Sequence, residues 1–224
     1  MKRLMAALAL TAIVASPVTA KTIHGVVVSN DGRMVKILSG NGHYFAPSQH
    51  EKGARVIFSN IAVRYPQGLY FCCSGATIAG PDSALGFQTW PALQFTPAAD
   101  AMVKEVDVPV QKIDGTVLVE FGIYSDAGGL PGKLLKKFKA TGYSNTGTCC
   151  GLAVGKDRKG IPVKAGTPYW IAITTDKNGT DAFANWPFNS TDQLAHVPSA
   201  VNKGSGWQSN GDAFPAMTVA VYGK

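Results

Sequence analysis

Signatures of common enzyme chemistry are missing from this chain. It has no Gly-x-Ser-x-Gly elbow, no phosphate-binding loop ending in Gly-Lys-Ser/Thr and no Gly-x-Gly-x-x-Gly fingerprint. That excludes the nucleophile, nucleotide and dinucleotide sites built on those turns. Histidine is scarce: His24, His43, His50 and His196 never fall into His-x-His or HExxH spacing, so each reads as a surface or structural residue. Ser74 and Ser205 come with no recognisable base. Charged residues make up only 16% of the chain. After the first twenty residues no apolar run approaches the ~18–20 residues that a membrane helix needs. Cysteine is limited to four, yet these form two adjacent pairs, Cys72-Cys73 and Cys149-Cys150.

What is present begins with "MKRLMAALALTAIVASPVTA". Lys2 and Arg3, an apolar run from Leu4 to Val14, Pro17 and the small-residue end Val18-Thr19-Ala20 predict a secretory signal peptide at 1–20, cleaved after Ala20. The expected location is secreted or periplasmic, with no membrane span after cleavage and no sorting tail in the closing "MTVAVYGK". Of the formal charge of +7, Lys2 and Arg3 carry two, which leaves +5 on the mature chain. Much of it lies in "GKLLKKFKATG" and "GKDRKG". Both runs flank turn signals and read as solvated loops, and export argues against a nucleic-acid partner.

Twenty-five glycines and thirteen prolines favour many short strands joined by turns. Strand-period alternation recurs: Val106, Val108 and Val110; Val117, Val119, Phe121 and Ile123; Tyr169, Ile171 and Ile173; Met217, Val219 and Val221. "HGVVVSNDGRMVKIL" reads as a hairpin about Asn30-Asp31-Gly32. Nothing longer than a turn or two reads as helix. The predicted fold is all-β, an antiparallel jelly-roll-like β-sandwich. It fills 21–224 as one domain, with 21–60 an added hairpin layer.

The succession "GPDSALGFQTWPALQFTPAAD", "VEFGIYSDAGGLPGKLL", "VKAGTPYWIAITT" and "FPAMTVAVYG", over roughly Gly68 to Gly223, resembles the choice-of-anchor R type of exported bacterial β-sandwich domain. The resemblance implies an exported jelly-roll-like domain, often joined to a cell-surface sorting signal. It brings no established activity and no catalytic residues.

Structural zinc sites separate their cysteines by two to four residues so that both sulfurs can face one ion. Adjacent cysteines lack that spacer, and exported thiols are oxidised. Cys72, Cys73, Cys149 and Cys150 therefore read as structural disulfides, with three connectivities open. Two of these tie the pairs together across about 75 residues, and the first such bridge contributes about 4 kcal/mol on the chain-entropy model. The third forms two vicinal rings, which need distortion because neighbouring Cα atoms lie ~3.8 Å apart while disulfides prefer roughly 4.4–6.8 Å. Gly75 and Gly151 tolerate unusual backbone and tip the reading slightly towards local pairing.

No cofactor is expected. Calcium is the alternative, through loop oxygens of Asp126, Asp176, Asn178 and Asp181, none of which reproduces the EF-hand spacing. The strongest functional hint is aromatic. Trp90, Trp170, Trp186 and Trp207, with Tyr143, Tyr169 and Phe188, offer flat faces that can stack on sugar rings, and the amides of Asn185, Asn189 and Gln208 sit nearby. A sandwich core also needs large apolar residues, and Trp170 alternates with Ile171, so the two cannot share one face. The exposed ligand-binding set is predicted as Trp186 and Trp207 with Asn185 and Gln208. The reading is a non-catalytic exported module whose partner is an extracellular glycan or cell-surface component, with oligomeric state undetermined. A structural component of a surface layer or matrix is the alternative, and a hydrolase assembled from scattered residues is third.

Overall fold

The computed structural model describes residues 26–30, 34–39, 42–47, 53–59, 70–146, 152–189, 197–211 and 214–224, with only the backbone course given at 26–47, 70–73 and 189. The expected leader at 1–20 and the second cysteine pair lie outside the described residues. Cys72 and Cys73 fall on a strand whose side chains at those positions also lie outside them.

The strands in chain order are β1 Val26–Asn30, β2 Met34–Ser39, β3 Gly42–Pro47, β4 Arg55–Ser59, β5 Tyr70–Ala79 and β6 Trp90–Phe95. They continue with β7 Ala101–Val108, β8 Gln111–Asp114, β9 Val119–Asp126, β10 Pro131–Thr141, β11 Ser144–Asn145 and β12 Ala153–Val163. The last are β13 Tyr169–Thr175, β14 Phe183–Asn189, β15 Ser199–Asn202, β16 Trp207–Ser209 and β17 Ala220–Gly223. Among the described residues there is no helix.

The chain divides into two units, Met1–Arg55 and Val56–Lys224. In the first, β1, β2 and β3 form an antiparallel sheet in that order, with Val26 opposite Leu38 and Leu38 opposite His43. The β1–β2 pair is the predicted hairpin, although its turn at 31–33 lies outside the described residues.

The second unit is an all-β, antiparallel-dominated β-sandwich. Its larger sheet runs β16-β15-β6-β13-β9-β10-β12-β7-β17-β4, and its smaller one runs β11-β8-β14-β5. The β11–β8 pair is parallel. Strand β10 serves both halves of the larger sheet: Pro131 through Lys139 pair with β9, and Ala140 and Thr141 pair with β12. The smaller sheet joins the β17 side through a bridge between Phe188 and Met217 and a hydrogen bond from the Thr218 N–H to the Pro187 carbonyl at 3.0 Å.

All four alternating sets named from sequence point into one core. Val106, Val108, Phe121, Ile123, Ile171, Ile173, Val219 and Val221 are buried in a single cluster with Ile78, Leu93, Phe95 and Phe138. Phe95 on β6 meets Phe58 on β4 with ring centroids 5.8 Å apart, which marks the packing of one sheet half on the other.

The basic runs read as loops are strands instead. "GKLLKKFKATG" is β10, where Phe138 and Ala140 turn inward and Lys133, Lys137 and Lys139 remain exposed. "GKDRKG" lies inside β12, where the ladder to β7 is interrupted between Lys156 and Ile161. The period-2 apolar residues beneath the lysines decide the conformation, and the lysines occupy the solvent side. Two of them are paired, Lys136 with Asp157 at 2.6 Å and Lys137 with Glu120.

Candidate functional site

The predicted ligand-binding residues are not brought together. Trp186 and Asn185 lie on β14 of the smaller sheet, Trp207 and Gln208 on β16 at the edge of the larger one. Trp186 is fully buried, and its indole N–H donates to the Thr218 carbonyl at 2.7 Å. Its expected role as an exposed stacking residue is corrected: β14 alternates so that Ala184 and Trp186 enter the main core. Asn185 points to the other face and is also buried, its amide donating to Gln111 Oε1 at 3.4 Å. Gln208 is exposed, but adjacent strand residues face opposite ways, so it does not share a face with Trp207.

Trp207 instead belongs to a second apolar layer on the face of the larger sheet turned away from the main core. Strand register builds this layer row by row. The middle row crosses five strands as Ser209, Ala200, Ala92, Ala172 and Gly122. On one side of it runs Trp207, Asn202 and Trp90, and on the other Gln94, Trp170 and Tyr124. The middle row has no side chain larger than serine, so the aromatic side chains of both flanking rows can lean over it.

They meet there. Tyr124 and Trp207 make an edge contact with ring centroids 5.8 Å apart and planes at 74°. Their strands are four ladder steps apart, about 19 Å in a flat sheet. Both rings, with Leu130, pack on Ala92, Trp170, Ala172 and Ala200. Gly122 is required beneath Tyr124, because a Cβ there would come within 2.5 Å of the ring carbon Cε2. Tyr124, Trp207 and Trp90 remain partly exposed, so the layer presents aromatic surface to solvent with the amides of Asn202 and Gln94 in its flanking rows.

Asp126, at the end of β9, holds this layer at one corner. Its Oδ1 accepts from Trp170 Nε1 at 2.7 Å and Gln94 Nε2 at 3.0 Å, and its Oδ2 accepts from the Gly129 N–H at 3.1 Å. Gly128 and Gly129 close the turn at φ of 65° and 83°, the left-handed region that glycine enters without strain. Partial burial pushes the Asp126 carboxyl up, but the N–H donors outweigh it and hold the group below the ordinary carboxylate range. Burial, with Glu120 nearby, raises the Tyr124 phenol above its usual value, so it stays a neutral hydroxyl.

The other two carboxylates offered to calcium accept from backbone amides. Asp176 Oδ1 accepts from the Asn178 N–H at 2.7 Å, and Asp181 Oδ2 accepts from the Thr116 N–H at 3.1 Å. Among the described residues no three His, Cys, Asp or Glu side chains gather as a metal-holding group.

A second ionisable cluster sits on the outward side of β7. Glu105 and Asp107 are both buried and hydrogen-bond each other. Lys156 on β12 lies 3.4 Å from Glu105, and Tyr222 on β17 stands opposite Glu105 in register. Burial, then the charge and hydrogen bond of Glu105, push the Asp107 carboxyl well above the ordinary range.

Tyr124, Trp90, Gln94 and Asn202 were absent from the predicted set. The signal for three of them was present: "EFGIY" places Gly122 and Tyr124 opposite the inward Phe121 and Ile123, and "WPALQF" places Trp90, Ala92 and Gln94 opposite Leu93 and Phe95. No protein-family model matches the chain, and no curated protein matches it.

Proposed function

We propose that this is an exported, disulfide-stapled, non-catalytic binding module that holds a glycan against the outer face of its larger sheet. The observation carrying this reading is the Tyr124–Trp207 contact over a row of small residues. Partly exposed aromatic faces can stack on the apolar faces of sugar rings, and a rigid sheet keeps them preorganised. Asn202 and Gln94 supply amides for hydroxyl groups, and Trp90 extends the surface along its own row. The leader-like first twenty residues and the paired cysteines support export.

The test is a glycan-array screen with the mature protein, followed by titration of any hit. Trp207→Ala should abolish binding, whereas Gln208→Ala, on the opposite face, should leave it intact. Absence of any glycan ligand together with self-assembly in sedimentation would replace this reading with a structural component of a surface layer.

A further inference from the structure

The aromatic layer leaves a second feature of the sandwich unused. A cavity of about 270 Å³ opens between the β5–β14 side of the smaller sheet and the β6–β15 side of the larger one. Its apolar lining includes Phe188, Phe214 and Val201, and the two phenyl rings stand edge-to-face at 5.5 Å and 81°. Four polar residues line the same space: Thr77, Thr89, Lys203 and Asn210. The Thr89 hydroxyl is sealed from solvent and meets no hydrogen-bond partner among the described residues. Lys203 is exposed and forms no ion pair among the described residues. Asn210 donates to Ser199 Oγ at 3.1 Å, which fixes its amide at the cavity wall.

These features define a ligand class. Ring-sized apolar walls select a flat or compact hydrocarbon body, and the volume lies just under the roughly 300–1,000 Å³ typical of drug-sized ligands. A single ring is therefore the appropriate size. The Lys203 ammonium, which meets no carboxylate among the described residues, selects an anion, and a carboxylate is an anion that a lysine and an amide can share.

We infer that this cavity binds a small carboxylic acid with a single-ring apolar body, its carboxylate held by Lys203 beside the Asn210 amide. The site is separate from the outer aromatic face and does not depend on glycan binding.

Isothermal titration of the full mature chain with 3-phenylpropionate and with 3-phenylpropanol tests it, because the two probes share a body and differ in charge. The acid should bind about tenfold more tightly than the alcohol, as a charge-assisted contact requires. Lys203→Gln, at an exposed turn, should erase that difference while leaving the alcohol's affinity unchanged. Thr89→Val should leave acid binding unchanged while keeping or raising the melting temperature, since it removes an unpaired hydroxyl sealed from the cavity. Trp207→Ala should change neither probe. Equal affinity of acid and alcohol, an acid preference that survives Lys203→Gln, or failure of both probes to bind at millimolar concentration overturns the inference.

Discussion

Trp170 and Ile171 are neighbours on β13 and both are fully buried, each in a different apolar layer. Ile171 enters the main core, and Trp170 lies under Tyr124 and Trp207 on the opposite face. The larger sheet is thus covered on both sides along its central strands, which makes the outer layer part of the stability of the fold as well as the candidate binding surface.

The Asp126 carboxylate should be the polar anchor of that layer. Asp126→Ala leaves the Trp170 indole N–H and the Gly129 amide without their acceptor, and an expected loss of about 2 kcal/mol follows, measurable by urea denaturation. Its folded-state value is depressed, so its stabilising contribution is full above the ordinary carboxylate value of about 3.9 and drains away as pH falls through its own lower value. The wild-type minus variant stability difference should shrink across that acid window. An unchanged difference contradicts the assignment.

Asp107 behaves in the opposite sense. Its folded-state value is raised by burial and by Glu105, so the folded chain holds a proton that the unfolded chain has released. The contribution is full below about pH 3.9 and is lost as pH rises through the raised value. Asp107→Asn keeps a hydrogen-bonding group beside Glu105 and cannot ionise. Its melting temperature should exceed that of wild type near neutrality, with the gap closing towards pH 4.

Gly122→Ala places a Cβ within 2.5 Å of Tyr124 Cε2, so the ring or the strand must shift. Overpacking of this kind costs about 1–3 kcal/mol. Displacing Tyr124 should also alter Trp207 emission and weaken any glycan interaction. A variant with wild-type stability and emission argues that the ring is not seated there.

Trp186→Ala removes a fully buried indole and strands the Thr218 carbonyl. The expected loss is about 3–5 kcal/mol, read by calorimetry. Trp186→Phe, which keeps most of the volume, should cost less and leave glycan affinity unchanged.

The main core was legible because its inward residues recur at a period of two: every residue of the Val117, Val119, Phe121, Ile123 set is inside. The outer layer was harder to read. "YWIAITT" is apolar on both faces, the pattern of a strand covered on two sides. Yet its cover comes from Tyr124 and Trp207, one far along the chain and the other from a short edge strand. Trp186 was misread for a different reason. "FANWPFN" contains asparagines and a proline, which strands usually avoid. Here β14 is held by pairing with β5 and β8, with an irregularity just after Pro187 and the Pro187 carbonyl accepting from Thr218. Register also had to be known before Ser209, Ala200, Ala92, Ala172 and Gly122 could be seen as one row.

Strand β10 gives its first nine residues to β9 and its last two to β12. Peeling β10 away therefore severs the β6–β13–β9 side from the β12–β7–β17 side and opens the shared core to water in the same event. The sandwich should lose its structure in one cooperative transition, and a pulling force applied across β10 should meet its resistance at that single strand.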